Sequence, residues 1–295
     1  MPTVHIHLGV NNTMHINKYQ DDKNEADRLY KNVRVLIWVM TSPKNLETKA
    51  RTIKNTWGKR PNKIIFFSSE TNTSFPTIGL NTSEGRAHLT AKTMQGFRYV
   101  YKHHINDVDW FMKADDDTYV IVENLRYFLS EQNSSNPEYS GHLFKPIVKQ
   151  GYNSGGAGYV LSKEALLRLA TNGSNPDTCR QDGGDEDVEF GKCMEKLGVK
   201  TVNTTDRLGR SRFHGFEPIR FISGNYWPAY GSYDSNGARS GIDSVSDYAI
   251  TFHYIQPHDM LMLEYMIYHL KPYGIRPAFK KLNFHNRNRL LSKST

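Results

Sequence analysis

Val33-Arg34-Val35-Leu36-Ile37-Trp38-Val39-Met40 is an apolar run interrupted once, and it stops at Thr41-Ser42-Pro43. A short apolar run bounded by turn residues reads as a buried strand. Leu46 to Trp57 then puts apolar side chains at Leu46, Ala50, Ile53 and Trp57, the spacing of one helix face. Ile64-Ile65-Phe66-Phe67 is a second strand. Strand, helix, strand predicts a parallel βαβ unit and an α/β fold. Ligands in such sheets sit at the carboxyl ends of the strands, so Thr41 and Ser42 mark a candidate nucleotide edge. The stretch has no GxGxxG or Walker glycines, so neither a standard dinucleotide site nor a P-loop is expected.

The second decisive stretch is Trp110-Phe111-Met112-Lys113-Ala114-Asp115-Asp116-Asp117-Thr118-Tyr119-Val120. An apolar strand runs straight into three carboxylates. Side chains alternate faces along a strand, so Asp115 and Asp117 are expected to converge while Asp116 points away. A hard divalent cation would neutralise that pair and leave coordination positions open for phosphate oxygens. A turn or helix cap also favours a single Asp, but not three in a row at this place.

Composition narrows the partners. The 295 residues suffice for one large domain or two small ones. A net charge of +8 suggests an anionic partner. The basic residues are scattered outside the C-terminal tail, which argues against nucleic acid. Asn-x-Ser/Thr acceptors at Asn11, Asn72, Asn81, Asn133, Asn172 and Asn203 favour the secretory pathway. That compartment favours a disulfide between the only two cysteines, Cys179 and Cys193, over two buried thiols. No apolar run reaches the length of a membrane span, so any membrane anchor is expected to be absent from this chain.

Along the chain, residues 1–31 are polar and read as a stem. Residues 84–106 read as a helix carrying Lys92, and Val122 to Leu129 as another. Gly151-Tyr152-Asn153-Ser154-Gly155-Gly156-Ala157-Gly158 reads as a ligand-facing loop where backbone approaches closely, followed by a helix capped by Ser162. Asp185-Glu186-Asp187 opens a helix to Leu197. Acidic residues suit any helix N-terminus, and a carboxylate base facing the metal is the functional alternative. His214 and His253 each sit among aromatics, and one of them is expected to complete the coordination. Asn225 to Arg239 has the Tyr, Trp and Gly content that suits sugar rings. Asp259 to Leu270 reads as an amphipathic helix, before a basic tail.

These motifs stand in a familiar order. Trp38-Val39-Met40-Thr41, Lys54-Asn55-Thr56-Trp57, Lys113 through Val120, Lys149-Gln150-Gly151-Tyr152, Ser154 through Ser162, Glu186-Asp187, Phe213-His214, Phe252-His253-Tyr254 and Tyr268-His269-Leu270-Lys271-Pro272-Tyr273-Gly274 follow one another. The chain resembles the core 1 β1,3-galactosyltransferases, within the β1,3-glycosyltransferase family that includes the Fringe enzymes, from about Val33 to Gly274.

The resemblance implies a GT-A fold, a Rossmann-like mixed sheet flanked by helices. It implies a stem over 1–31, a catalytic domain over 32–275 and a basic tail over 276–295. It implies Mn²⁺ held by Asp115, Asp117 and His253, with His214 as second choice. Asp187 matches the catalytic base, and Thr41, Lys92, Asp115 and Asp116 match the donor-binding side. Tyr152, Gly155, Gly156, Glu186, His214 and Trp227 are expected at the substrate. The implied reaction is inverting transfer of galactose from UDP-galactose to the 3-hydroxyl of GalNAc on a glycoprotein. The implied setting is the Golgi lumen, with a type II anchor in the full-length form and a homodimer as the assembly.

Two departures stand out. Ile37, Pro61 and either Asp243-Ser244 or Ser244-Val245 occupy positions where the core 1 enzymes carry further cysteines, while Cys179 and Cys193 match a retained pair. Asn225-Tyr226-Trp227-Pro228-Ala229-Tyr230 replaces the family's Phe-Trp-Tyr-Trp acceptor segment, leaving Trp227 to take its role. That departure keeps a Fringe-like N-acetylglucosaminyl transfer as the alternative, ahead of a non-catalytic folding partner and a metal-dependent phosphodiesterase.

Overall fold

The computed structural model describes residues 24–271 and 273. Strand β1 (Val35–Met40) is paired in parallel with β2 (Lys63–Ser68) on one side and β4 (Trp110–Asp115) on the other. β3 (Thr77–Gly79) extends the sheet beyond β2 in parallel. Beyond β4 come β9 (Tyr159–Ser162) and β6 (Glu138–Gly141), each antiparallel to its predecessor, and then β10 (Lys200–Thr201), parallel to β6. The result is a mixed seven-stranded sheet of order β10-β6-β9-β4-β1-β2-β3. The α/β, Rossmann-like architecture is therefore as the sequence predicts.

β1 is buried on both faces, which explains its unbroken apolar run. Leu36, Trp38 and Met40 enter one core cluster, while Val35, Ile37 and Val39 enter the other. α3 (Leu89–His104), α5 (Lys163–Asn172) and α6 (Glu186–Lys196) supply residues to the first cluster. α2 (Arg51–Asn55) and α4 (Val122–Leu129) supply the second. Trp38 is the centre of the first, edge-on to Phe97 at 5.0 Å and to Phe67 at 5.6 Å. Gly96 faces it because a Cβ there would come within 3.3 Å of the indole.

The sheet register positions the site. Met40 lies opposite Asp115, so the carboxyl ends of β1 and β4 emerge together. A second, three-stranded sheet of β11 (Phe213–His214), β12 (Thr251–Phe252) and β5 (Tyr119–Val120) brings the far end of the chain there too. Phe252 pairs with Tyr119, and the Ile255 N–H reaches the Asp117 carbonyl at 2.9 Å.

Several boundaries differ from the sequence reading. Residues 24–32, all but the last inside the stretch read as stem, form helix α1, and Leu29 joins the core. The helix expected over 46–57 is a composite: a 3₁₀ turn at Pro43–Asn45, a π turn at Leu46–Ala50, α2, and a 3₁₀ turn at Trp57–Lys59. α3 starts at Leu89 rather than near 84, after Gly85 with φ of 114°. The last helix, α9, spans Pro257–Tyr268 and is not amphipathic in the expected sense: Leu261, Met262, Tyr265 and Met266 face outward. Its one charged residue between 260 and 270, Glu264, faces inward onto Arg60 and the Tyr119 hydroxyl. Cys179 and Cys193 form a disulfide with Cα atoms 4.6 Å apart. No helix among the described residues is long and apolar enough to cross a membrane. The stem over 1–23 and the tail from 276 lie outside the described residues.

Trp38→Ala removes the ring at the centre of the first core cluster. It is expected to destabilise the fold by about 3–5 kcal/mol, read as a lower urea midpoint with an unchanged slope.

Candidate active site

The acidic triplet is built by a turn rather than by continued strand. β4 ends at Asp115, and the Thr118 N–H closes back on the Asp115 carbonyl at 3.1 Å. The Thr118 hydroxyl is fixed to the Gly156 carbonyl at 2.8 Å. This turn, not strand alternation, brings Asp115 and Asp117 to one side. One ligand atom each from Asp115, Asp117 and His253 lies within 4.8 Å of the others.

Asp116 turns the other way, as expected. Its Oδ2 accepts from the Thr41 hydroxyl and the Asn45 amide, each at 2.8 Å, and its Oδ1 lies 3.2 Å from Lys49 Nζ. It clamps the loop after β1 onto the triplet, and burial raises its carboxyl above the ordinary range against these partners. Thr41 is consequently buried, with its hydroxyl used by Asp116 and its carbonyl held by Lys92 Nζ at 3.1 Å. Lys92 is itself buried and pairs with Glu84 at 2.6 Å. Both lie under the edge of the site rather than on its open surface.

His253 is oriented from behind. Its Nδ1–H donates to the Gly215 carbonyl at 3.3 Å, which turns Nε2 toward Asp117 Oδ1 at 3.2 Å. Two lone-pair carriers at that distance need a proton or a cation between them. Burial disfavours the Asp117 charge, but His253 and Lys49 outweigh it and hold the carboxyl down to about 2. Two carboxylates and an imidazole with a backbone-fixed tautomer fit a divalent cation.

The glycine loop lies against this group. A Cβ on Gly156 would overlap the His253 ring, and one on Gly155 would lie 2.5 Å from Glu186 Oε2. The Gly155 N–H donates to Asp187 Oδ2 at 3.1 Å, and its carbonyl accepts from Lys113 Nζ at 3.1 Å. Asp187 Oδ1 accepts the Val188 N–H at 2.9 Å. Burial first, then the neighbouring Glu186 charge, push the Asp187 carboxyl up to about 6. That is the range of a general base working near neutrality.

Three of the residues expected at the substrate lie inside the fold. His214 is fully buried: Nδ1–H donates to the Thr251 carbonyl at 2.9 Å and its ring stacks on Phe252 at 4.6 Å. Burial holds it neutral, down to about 3, and it is not among the candidate ligands. Glu186 is likewise inside, accepting from the Tyr159 hydroxyl at 2.6 Å and the Thr93 hydroxyl at 2.7 Å. Tyr152 is buried against Phe144, Val148 and Val188, beneath α6. Trp227 is exposed, packing edge-on to Phe216 at 5.5 Å and Tyr230 at 4.7 Å.

Four participants were not singled out in the sequence: Lys49, Asn45, Lys113 and Tyr254. Asn45 and Lys49 are four apart, so both can turn to the same side of a helical segment; that spacing was the available signal. Lys113 precedes the triplet inside the apolar run, where an isolated cation calls for carboxylate partners. Tyr254 follows His253 and stacks on it at 3.9 Å.

Comparison with known proteins assigns the family. A model described as Fringe-like matches residues 30–223. Glycoprotein-N-acetylgalactosamine 3-beta-galactosyltransferase 1 of Xenopus laevis is 46% identical over 266 residues, covering 88% of this chain and 73% of that protein. Mouse beta-1,3-glucosyltransferase is 27% identical over 197 residues, covering 65% of this chain and 38% of that protein. Among solved structures, a glycosyltransferase involved in glycosylation of the PBCV-1 major capsid aligns with a TM-score of 0.42 at 14% identity, covering 79% of this chain and 100% of that one. With about two thirds of its length matched by the family model and 46% identity to a named galactosyltransferase across 88% of the chain, the chain belongs to the Fringe-like family of glycosyltransferases.

Proposed function

We propose that the chain transfers galactose from UDP-galactose to the 3-hydroxyl of GalNAc on serine or threonine of a glycoprotein, with inversion at the anomeric carbon. The observation that carries this reading is the glycine loop: Gly156 packs on His253 of the cation group, while the next residue back, Gly155, holds Asp187 through its N–H. A cation site and a base of raised pKa thus flank one short loop, as a single in-line displacement needs. The 46% identity to a galactosyltransferase acting on glycoprotein N-acetylgalactosamine supports the choice of sugars.

In the proposed reaction the acceptor 3-hydroxyl oxygen bonds to the anomeric carbon as the bond from that carbon to the diphosphate oxygen breaks. Asp187 takes the hydroxyl proton. UDP leaves with the electron pair. Asp115, Asp117 and His253 would hold Mn²⁺, which when bound neutralises the departing diphosphate. Asp116, Thr41 and Lys92 hold the donor edge in shape from beneath. Trp227, Phe216 and Tyr254 offer aromatic faces for the acceptor sugar. No second catalytic carboxylate is required, because no covalent sugar intermediate forms.

The altered segment around Trp227 supports one alternative, N-acetylglucosaminyl transfer of the Fringe kind. The six sequons and the disulfide support a setting in the Golgi lumen. For the homodimer, the uncharged outward face of α9 is the proposed contact: apolar stripes this continuous are normally covered.

Recombinant protein is expected to transfer galactose from UDP-galactose to a GalNAc-α-Thr glycopeptide only when Mn²⁺ is supplied, followed by mass spectrometry of the product. Turnover of UDP-GlcNAc but not UDP-galactose would select the alternative. Asp187→Asn is expected to lower kcat by roughly 10²–10⁴ with the Mn²⁺ affinity retained. In the wild type, kcat/KM should rise with pH through an acid limb near 6, because the proton acceptor is the deprotonated Asp187. An unchanged limb in a residually active Asp187→Asn variant would remove Asp187 from that role. The double variant Leu261→Glu with Tyr265→Glu should run as a monomer in light scattering if α9 joins two copies; a wild type that is already monomeric sinks that assembly.

A further inference from the structure

The acidic triplet faces two cations, Lys49 and Lys113, and they are held very differently. Lys113 is buried, at 2.6 Å from Asp115, 3.1 Å from the Gly155 carbonyl and 3.5 Å from Glu186. It is fixed from three sides. Lys49 stands on the π turn at Leu46–Ala50, with its side chain 23% exposed. Its Nζ lies 3.2 Å from Asp116 Oδ1 and 3.2 Å from Asp117 Oδ2. Among the described residues its hydrogen-bond and ion-pair partners are these two carboxylates.

π turns insert one residue into a helix and often mark working sites. Here the turn brings Lys49 to the triplet while Asn45, at its start, reaches Asp116. Asp117 is consequently shared: Oδ1 faces His253 and Oδ2 faces Lys49. An ammonium on one oxygen withdraws charge from the carboxylate that a metal ion would use. Once a dication arrives at the group of Asp115, Asp117 and His253, it repels an ammonium so close by. The Lys49 side chain has a flexible stem and a partly open position, and the anion arriving next is a diphosphate.

We propose that Lys49 is a movable counter-cation of this site. It neutralises Asp117 before the metal binds, gives up that oxygen to the incoming ion, and then pairs with the donor's diphosphate. Asp116, which keeps its bonds from Thr41 and Asn45, is the pivot on which the ammonium remains. This rests on the reading of Asp115, Asp117 and His253 as a cation site. It assigns a role to a residue outside the ligand set.

The test is Mn²⁺ binding by calorimetry on the whole chain, followed by UDP binding at saturating Mn²⁺, in wild type, Lys49→Met and Lys49→Arg. Removing a competing charge should make Lys49→Met bind Mn²⁺ more tightly, on the order of tenfold. The same variant should bind UDP more weakly, on the order of tenfold, with Lys49→Arg recovering most of the UDP affinity. A merely structural lysine would weaken both ligands together or neither. Mn²⁺ affinity unchanged or weakened in Lys49→Met, with its thermal melt matching wild type, overturns the proposal. Should Lys49→Met unfold, Lys49→Arg decides alone: a wild-type-like UDP affinity supports the diphosphate contact, and loss of UDP binding in that folded cation overturns it. A wild type that binds no Mn²⁺ overturns both this proposal and the cation site beneath it.

Discussion

The buried ammonium of Lys113 is the interaction on which the site depends. It sits in the middle of the sheet, on β4, and is almost fully removed from water. Burying a lone charge costs several kcal/mol even after relaxation. Burial acts to neutralise it, yet Asp115 and Glu186 outweigh that and keep it charged beyond the ordinary lysine range. Those two carboxylates come from different elements, the end of β4 and the first turn of α6. The Gly155 carbonyl is the third partner. One charge therefore ties the triplet, the glycine loop and the helix bearing Asp187 into one geometry. A neutral residue of the same shape would leave the buried Glu186 and the partly buried Asp115 without the cation between them.

From that arrangement follow the opposite tendencies of the two outer carboxylates. Asp117 is pulled down by His253 and Lys49, so it stays an anion suited to hold a cation. Asp187 is pulled down by a cation too, Lys113, but more weakly. It has two backbone N–H donors, but burial and the Glu186 charge prevail and raise it. Environments that drive two carboxyls apart separate an electrostatic task from a proton-accepting one. Glu186 is central to this difference although it stays inside, because its charge is what Lys113 and Asp187 both sense.

Much of this was legible in the sequence, and the rest failed for identifiable reasons. β1 and β4 are buried on both faces, so their apolar runs announce them. The triplet, the glycine loop and Asp187 each break a local pattern and so draw notice. The choice between His214 and His253 could not come from their neighbours, since both follow a Phe. It was set by register: His214 lies within β11 facing the core, whereas His253 is one residue past β12, where the chain turns toward Asp117. The π turn was invisible because its apolar spacing equals that of an ordinary helix. The contacts of Asn45 and Lys49 with Asp116 and Asp117 are long-range and leave no local pattern either. For α9, the pattern of apolar residues says nothing about which face the fold covers, and Glu264 inverts the usual expectation by pointing in.

The turn after His253 joins the two halves of the site. Tyr254 has φ of 59°, a left-handed conformation that a bulky residue adopts at a cost of about 1–3 kcal/mol. The surrounding contacts impose it: the Ile255 N–H must reach the Asp117 carbonyl while His253 reaches the Gly215 carbonyl. The consequence is an exposed ring stacked on His253 and on Phe216, which in turn meets Trp227. An aromatic surface thus runs outward from the candidate metal ligand without any carboxylate in it. The segment over 225–230 lies at its far end, where it contacts rings and not the triplet. Sequence change there can reshape the outer platform while Lys113, Asp117 and Asp187 keep their partners. Under the proposed reaction, the acid-lined group and the aromatic platform for the acceptor are physically separable, and the strained turn at Tyr254 is where they meet.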